Sequence, residues 1–239
     1  MSSQDVEQLF QGVFRLPENK RPGRHVLATI NLTPGRSFYG EALVRLKYGG
    51  ETIEFRLWDP YRSKLSAAIL NRLHSFPFAP SGSCLYLGAS TGTTVSHLSD
   101  VLGSKGRIFA VEVAPRVARE FLENVVKYRR NVIPIVADAR QPDKYGAIYG
   151  QVNSLYCDIA QADQTEIAIA NYRAYLGGSG PAMLFLVVKA SSIDVLKPKS
   201  QVFAEQRNIL EGAGFVVLEQ IDLEPFDRNH ALLVAKFSG

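Results

Sequence analysis

The rhythm of apolar and polar positions changes near residue 60. Between about residues 9 and 58 it has period two. Val44, Leu46 and Tyr48 alternate with polar neighbours, and after Gly49-Gly50 so do Ile53, Phe55 and Leu57. Such alternation sets one face of a strand against a core, and a Gly-Gly pair supplies the positive φ of a tight turn, so this stretch predicts a β-hairpin. Pro17, Pro22, Gly23, Pro34 and Gly35 punctuate shorter strand-like stretches upstream. Residues 1–57 are therefore expected to form a small antiparallel β domain, one short enough to depend on packing against the rest of the chain.

From Asp59-Pro60 the period lengthens. Asp as cap and Pro at the first helical position predict a helix start, followed by Leu65, Ala68, Ile69 and Leu73 at helical spacing. Strands and helices then alternate. Apolar runs at 84–89, 107–113, 132–138, 154–159 and 181–190 read as strands. Helical patterns lie around Val95 to Gly103, around Val117 to Val125, and at 163–176 and 199–212. Alternation of this kind implies a parallel sheet with helices on both faces. The end departs from it: 214–223 and 230–237 are strand patterns joined only by EPFDRN, too short for a crossover helix, so this pair must be antiparallel. A mostly parallel sheet closing in an antiparallel hairpin over residues 58–239 resembles the Rossmann-like class I methyltransferase sheet. Ordinary nicotinamide-binding domains lack that hairpin.

Composition narrows the class. With 46% apolar residues in 239, one substantial core can be buried, and 21% charged residues exclude wholesale disorder. No apolar run approaches the roughly 20 residues of a membrane span, and the start, MSSQDVEQLFQG, reads as no secretory signal. Cys84 and Cys157 lie inside apolar runs without metal-ligand or disulfide spacing, which fits a reducing, cytoplasmic compartment. No metal site is expected. The net charge of +4 favours an anionic partner, and three small basic clusters (Lys20, Arg21 and Arg24; Arg129 and Arg130; Lys197 and Lys199) could track phosphates.

Ligands of open α/β sheets bind beyond the carboxyl ends of the strands, so the residues after each apolar run are the candidates. The first is the loop Gly88-Ala89-Ser90-Thr91-Gly92-Thr93-Thr94. Its glycines permit a tight turn, and Thr93 and Thr94 open a helix whose free N–H groups can receive a carboxylate. Its G-x-x-x-G spacing does not satisfy the pyrophosphate fingerprint. Glu112, roughly 20 residues beyond the loop, is suited to ribose hydroxyls. Asp138-Ala139 could read an adenine amino group, and Asp158 with Gln161 would face the reacting centre. Lys189 follows a buried run at a strand tip, where it either snorkels to solvent or lines the cleft. Taken singly, Lys64 reads as a solvated helix lysine and His230 as a polar turn residue. His74 and His97 have no partner at ligand spacing.

The segments YRSKLSAAIL (61–70), YLGASTGTTVSHLSDVLG (86–103), VEVAPR (111–116), ADAR (137–140), CDIAQ (157–161), VVKASSID (187–194) and DRNHALLV (227–234) together resemble fibrillarin, and more narrowly the archaeal fibrillarin-like rRNA/tRNA 2′-O-methyltransferases. The likeness runs in order through nearly all of 60–239. Val113 stands where an aromatic is common and Ile159 where valine is usual, both apolar exchanges. The resemblance implies S-adenosylmethionine as cofactor, held by Gly88, Ala89, Ser90, Thr93, Thr94, Glu112, Val113, Asp138, Ala139, Asp158, Ile159, Ala160 and Gln161. It also implies a Lys64, Asp158, Lys189 and His230 set in the cleft. One lysine would act as base on a ribose 2′-hydroxyl while the other steadies the oxyanion; Lys189 is the choice for base, with the opposite assignment open. Its implied partners are a Nop-family scaffold protein, a box C/D guide RNA with its target rRNA or tRNA, and, indirectly, a kink-turn-binding protein. The competing readings are a protein glutamine methyltransferase and a catalytically silent assembly subunit.

Overall fold

A computed structural model describes residues 6–17, 25–148, 152–177 and 182–238. Its first sheet is wholly antiparallel: β1 (Glu7–Phe10), β2 (Val13–Pro17), β3 (His25–Ile30), β4 (Leu43–Tyr48) and β5 (Glu51–Leu57), in the order β1-β2-β3-β5-β4. The expected hairpin is β4–β5. Tyr48 faces Glu51 across Gly49 and Gly50, whose φ values of 59° and 87° are the positive pair that a two-residue turn matching strand twist requires.

The second sheet holds β6 (Ser83–Leu87), β7 (Arg107–Glu112), β8 (Val132–Val136), β9 (Ser154–Cys157), β10 (Met183–Lys189), β11 (Phe215–Asp222) and β12 (His230–Phe237), in the order β11-β12-β10-β9-β6-β7-β8. Strands β6 to β10 are parallel, and β12 is antiparallel to both its neighbours. The strand order reverses between β6 and β9, the place where such sheets open a crevice. The helices are α1 (Lys64–Leu70), α2 (Thr93–Leu102), α3 (Pro115–Asn124), α4 (Gln164–Tyr175), the single turn α5 (Ala190–Ile193) and α6 (Lys199–Gly212). Leu184 to Val188 of β10 are fully buried because both faces are covered, which is why that run reads as continuously apolar. Successive residues feed opposite cores. Leu85, Leu155, Leu184 and Leu186 pack with Tyr172 and Val202; Tyr86, Tyr156, Phe185 and Val187 pack with Leu65, Val95 and Leu98. No helix among the described residues is long and apolar enough to cross a membrane.

The first sheet lies against the α2 side. Val13, Leu27 and Trp58 belong to the same core as Leu65 and Leu98. A buried ion network ties the two sheets. Asp100 of α2 takes Arg56 Nη1 at 2.7 Å and Thr29 Oγ1 at 2.8 Å on one oxygen, and Arg129 Nη1 at 2.5 Å with the Leu32 N–H at 3.0 Å on the other. Arg56 also reaches Glu41 at 2.6 Å, so two guanidiniums face two carboxylates. Thr29 gives its single hydrogen to Asp100, so it accepts from His97 Nδ1–H at 2.8 Å. That leaves Nε2 to accept the Tyr39 hydroxyl at 2.8 Å. Trp58 stacks on the imidazole, centroids 4.8 Å apart. Burial, reinforced by the Arg56 and Arg129 charges, holds His97 well below the usual histidine range.

The helix expected from Asp59-Pro60 begins later, at Lys64. Asp59 instead closes a turn: its Oδ1 accepts the Tyr61 N–H at 2.8 Å and its carbonyl the Arg62 N–H at 3.2 Å. The extended residue ahead of α1 is Ser63 (φ −147°), whose hydroxyl accepts from Ser66 at a long 3.5 Å. An Asx turn competed with the helix cap and won. His74 lies beyond α1, its N–H on Glu219 Oε2 at 2.9 Å.

Candidate functional site

At the tip of β6 the chain turns through Gly88 (φ 83°) and Gly92 (φ 94°) into α2. A Cβ on Gly88 would stand 2.5 Å from the carbonyl oxygen of Asp158, and one on Gly92 2.6 Å from Val125. Both positions demand glycine for conformation and for space. The loop presses on the next strand tip, with the Ser90 N–H donating to Glu112 Oε2 at 2.9 Å. The Ala114 N–H takes Glu112 Oε1 at 2.9 Å, so the carboxylate is fixed from both sides while lone pairs remain for a ligand. After β8, Asp138 Oδ1 accepts the Arg140 N–H at 2.9 Å. The Arg140 guanidinium forks onto Asp163 at 2.9 and 2.7 Å and reaches Gln161 Oε1 at 2.8 Å, tying the loop after β8 to the loop after β9. That hydrogen bond from Arg140 draws the Asp163 carboxyl below the usual range.

These tips enclose a cavity of about 320 Å³. Gly88, Ser90, Glu112, Val113, Asp138, Ala139, Asp158, Ile159, Ala160, Gln161 and Lys189 line it, together with Val117 and Ile167. Ala89, Thr93 and Thr94 do not. Ala89 is buried with its N–H on the Val111 carbonyl, and Thr94 is buried with its hydroxyl 2.9 Å from that of Ser63. The cavity suits a nucleoside: acceptors at Glu112 and Asp138 for ribose hydroxyls and a base amino group, and apolar walls at Val113, Val117, Ile159 and Ile167.

At one lip stands the charged set. Lys189 Nζ lies 2.8 Å from Asp158 Oδ1 and donates to the Asp158 carbonyl at 3.1 Å; Lys64 Nζ lies 3.3 Å from Asp158 Oδ2. One helix-borne and one strand-borne lysine nitrogen thus share one carboxylate. His230 sits directly across the β10–β12 ladder from Lys189. Its Nδ1 is 2.7 Å from the Arg228 carbonyl and 2.8 Å from Asp227 Oδ1, so Nδ1 carries the hydrogen and Nε2 is the ring's acceptor. Asp227 also approaches Lys64, at 3.8 Å. Burial alone would raise the Asp227 carboxyl, but the His230 hydrogen bond and the Lys64 and Lys189 charges bring it below the usual range.

Three residues of this architecture carry no role in the sequence reading. Asp227 and Arg140 lie inside the segments DRNHALLV and ADAR, and the three-residue spacing of Asp227 and His230 was the available signal. Ser63 was hidden by the stronger cap signal at Asp59. Among the described residues of the basic clusters, only Arg130 is exposed without a carboxylate contact. Arg129 is buried on Asp100, Lys197 pairs with Glu205 at 2.9 Å, and Lys199 pairs with Asp222 at 2.8 Å and Glu224 at 2.7 Å. Lys20, Arg21 and Arg24 lie outside the described residues.

The sheet order, the antiparallel terminal hairpin and the carboxylates at successive strand tips are those of the Rossmann-like class I methyltransferase fold. A family model described as Fibrillarin matches residues 5–239. The chain is 48% identical over 215 residues to the fibrillarin-like rRNA/tRNA 2′-O-methyltransferase of Pyrobaculum aerophilum, covering 90% of this chain and 89% of that protein. It is similar to Aeropyrum pernix fibrillarin, solved in complex with natively bound S-adenosyl-L-methionine (TM-score 0.85, 41% identity, 97% of this chain and 96% of that one). A chain of a fibrillarin/Nop5p complex is also similar, with TM-score 0.81, 35% identity and coverage of 96% and 99%. The chain belongs to the fibrillarin family.

Proposed function

We propose that this chain transfers a methyl group from S-adenosylmethionine to a ribose 2′-hydroxyl of rRNA and tRNA. The observation that carries this reading is the Lys64–Asp158–Lys189 cluster at the lip of a cavity that holds Glu112 and Asp138. The name of the Pyrobaculum relative and the ligand of the Aeropyrum structure support it. S-adenosylmethionine, when bound, supplies an electrophilic methyl group on a sulfonium. Glu112 accepts the hydroxyls of the donor's ribose, Asp138 its adenine amino group, and the Asp158–Gln161 stretch closes the floor. The acceptor 2′-hydroxyl is a poor nucleophile and needs its proton taken or its negative charge matched. Lys189, which lines the cavity, takes the proton in its neutral amine form, having first given up its own; Lys64, on the far side of Asp158, stays charged and steadies the oxyanion. Asp158 holds both amines, and His230, oriented by Asp227, positions the acceptor ribose.

Target choice belongs to a guide. The fibrillarin/Nop5p structure supports a Nop-family scaffold as partner; a box C/D guide RNA pairing with the target, and a kink-turn-binding protein in the same particle, complete the reading. The compartment is the cytoplasm. Cys84 and Cys157 are buried free thiols, both pushed up to about 12 by burial.

The test is reconstitution of the chain with a Nop-family protein, guide RNA and target, using a labelled methyl donor. The expected product is a 2′-O-methyl nucleoside at the guided position, and calorimetric titration of the free chain should show saturable donor binding that Glu112→Ala abolishes. Label recovered on glutamine in a protein hydrolysate, or no label despite donor binding, would overturn the assignment.

A further inference from the structure

Lys64 owes its place to a helix that cannot place itself. α1 spans 7 residues, too few to persist in water without contacts from outside. Its flank is anchored by burial of Leu65, Ala67 and Ala68, and by the Ser66 hydroxyl, which donates to the Trp58 carbonyl at 3.0 Å. Its start is anchored differently. Ser63, the residue before Lys64, stands where a hydroxyl ordinarily serves as a cap, yet its bond from the Ser66 N–H is 3.5 Å long. The same hydroxyl lies 2.9 Å from Thr94 Oγ1, and both residues are buried.

Thr94 stands in the first turn of α2, directly after the glycine loop beside the donor cavity. That loop is held at two points. The Ser90 N–H donates to Glu112 Oε2 at 2.9 Å, and Gly88 leaves no room for a Cβ against the Asp158 carbonyl. Thr94 is therefore a fixed point at the end of a fixed loop. Its hydroxyl meets Ser63 of the α1 start and also the buried Tyr86 of β6. Burial and the Asp158 charge push the Tyr86 hydroxyl well above its usual range, and a hydrogen bond with Thr94 opposes them.

From the buried Ser63–Thr94 contact we infer that Thr94 is a positioning residue for methyl transfer: by tying the start of α1 to the donor loop, it holds Lys64 in register with the bound donor. This rests on the ribose-methylation reading and goes beyond it. Lys64 Nζ stands 3.3 Å from Asp158 Oδ2, and an ammonium steadies an oxyanion only from the place where the charge develops. A small drift of α1 is therefore felt in the rate and not in donor affinity.

The experiment follows single-turnover methylation by the particle assembled with scaffold protein, guide RNA and target, and donor binding and hydrogen exchange of the free chain. Thr94→Val removes the hydroxyl, keeps the branched shape and leaves the Ser63 cap in place. It should lower the rate about tenfold, the equivalent of one hydrogen bond, with donor affinity unchanged; Thr94→Ser should restore the rate. Ser63→Ala should match Thr94→Val, and the double variant should be no slower than either single one. On a Lys64→Ala background Thr94→Val should cost nothing further, whereas a general loosening of the fold would still cost rate there. In the free chain, the amides of Ala67 to Leu70 should exchange about tenfold faster in Thr94→Val than in wild type, measured against those of β10, and Thr94→Ser should restore them. An unchanged rate, a weakened donor, or a loss that persists without Lys64 would each overturn the inference. A wild-type particle that binds donor and target but forms no 2′-O-methyl product counts against the proposed reaction instead, while the exchange comparison still judges whether Thr94 holds α1.

Discussion

Two clusters of the same ingredients, guanidinium or ammonium groups around carboxylates with a histidine attached, lie in one molecule and do opposite things. At the junction of the sheets, Asp100 accepts three hydrogen bonds and pairs with the Arg129 charge, and the side chains of Arg56, Arg129 and Asp100 are essentially inaccessible. At the strand tips, Lys64, Asp158, Lys189 and Asp227 keep between 13% and 32% of their side-chain surface in contact with solvent. Their contacts range from 2.8 to 3.8 Å. The first cluster is sealed: its charges are matched inside protein and out of reach of solvent, although Arg129 Nε and Nη1 find no aligned hydrogen-bond acceptor among the described residues. The second is charge-matched but open, so a substrate can add to it. Exposure separates a sealed ion network from one that a substrate can reach more sharply than residue type does.

Substitutions that break each cluster should therefore be read by different instruments. Asp100→Ala strands the buried Arg129 guanidinium, leaves Arg56 with Glu41 alone and should cost about 3–5 kcal/mol in chemical denaturation, with donor binding intact in whatever fraction remains folded. An unchanged denaturation midpoint would dissolve the contrast at once. Lys189→Ala should leave the midpoint unchanged and reduce single-turnover methylation by at least about a hundredfold, the lower range for a positioned base. Activity within a few-fold of wild type would move the base assignment to Lys64 or to alignment alone. Asp227→Asn removes one charge-assisted contact to His230 and should lower the rate about tenfold, again without loss of stability. Smallest is a pH effect on the sealed side. The folded His97 titrates far below its unfolded value of about 6.5, so the unfolded chain takes up the proton first. Stability is complete above about pH 6.5 and falls as pH drops below it, by up to about 1.4 kcal/mol per pH unit for this one group. Comparison with His97→Gln in thermal melts at pH 7.5 and 5.5 isolates that slope, and parallel slopes would show that His97 is not held neutral.

Elements with strong periodic signals were legible along the chain. The Gly49-Gly50 hairpin, the α6 segment 199–212 and the antiparallel end imposed by the short EPFDRN connection all stand as read, because each is set by local conformational preference or by the reach of a few residues. The strand-tip positions of Glu112, Asp138, Asp158 and Lys189 were legible for the same reason: a residue closing a buried run must emerge at the sheet edge. The start of α1 was not, since Asp59 offers its carboxylate to a turn and to a helix alike, and only the surroundings decide between them.

What the sequence determined by itself was the order of elements, the terminal hairpin and the glycine loop, all of which follow from φ preferences and from burial periodicity within short stretches. Tertiary structure alone decided the partners of charge. Nothing local distinguishes Arg129, sealed on Asp100, from Arg62, open beside Tyr39. Likewise nothing local tells that Lys64 meets Asp158 94 residues away, or that His97, without a partner at ligand spacing, bridges the two sheets through Thr29 and Tyr39. Electrostatic and hydrogen-bond energies depend on distance and on the dielectric of the surroundings, and both are fixed only when distant segments pack together.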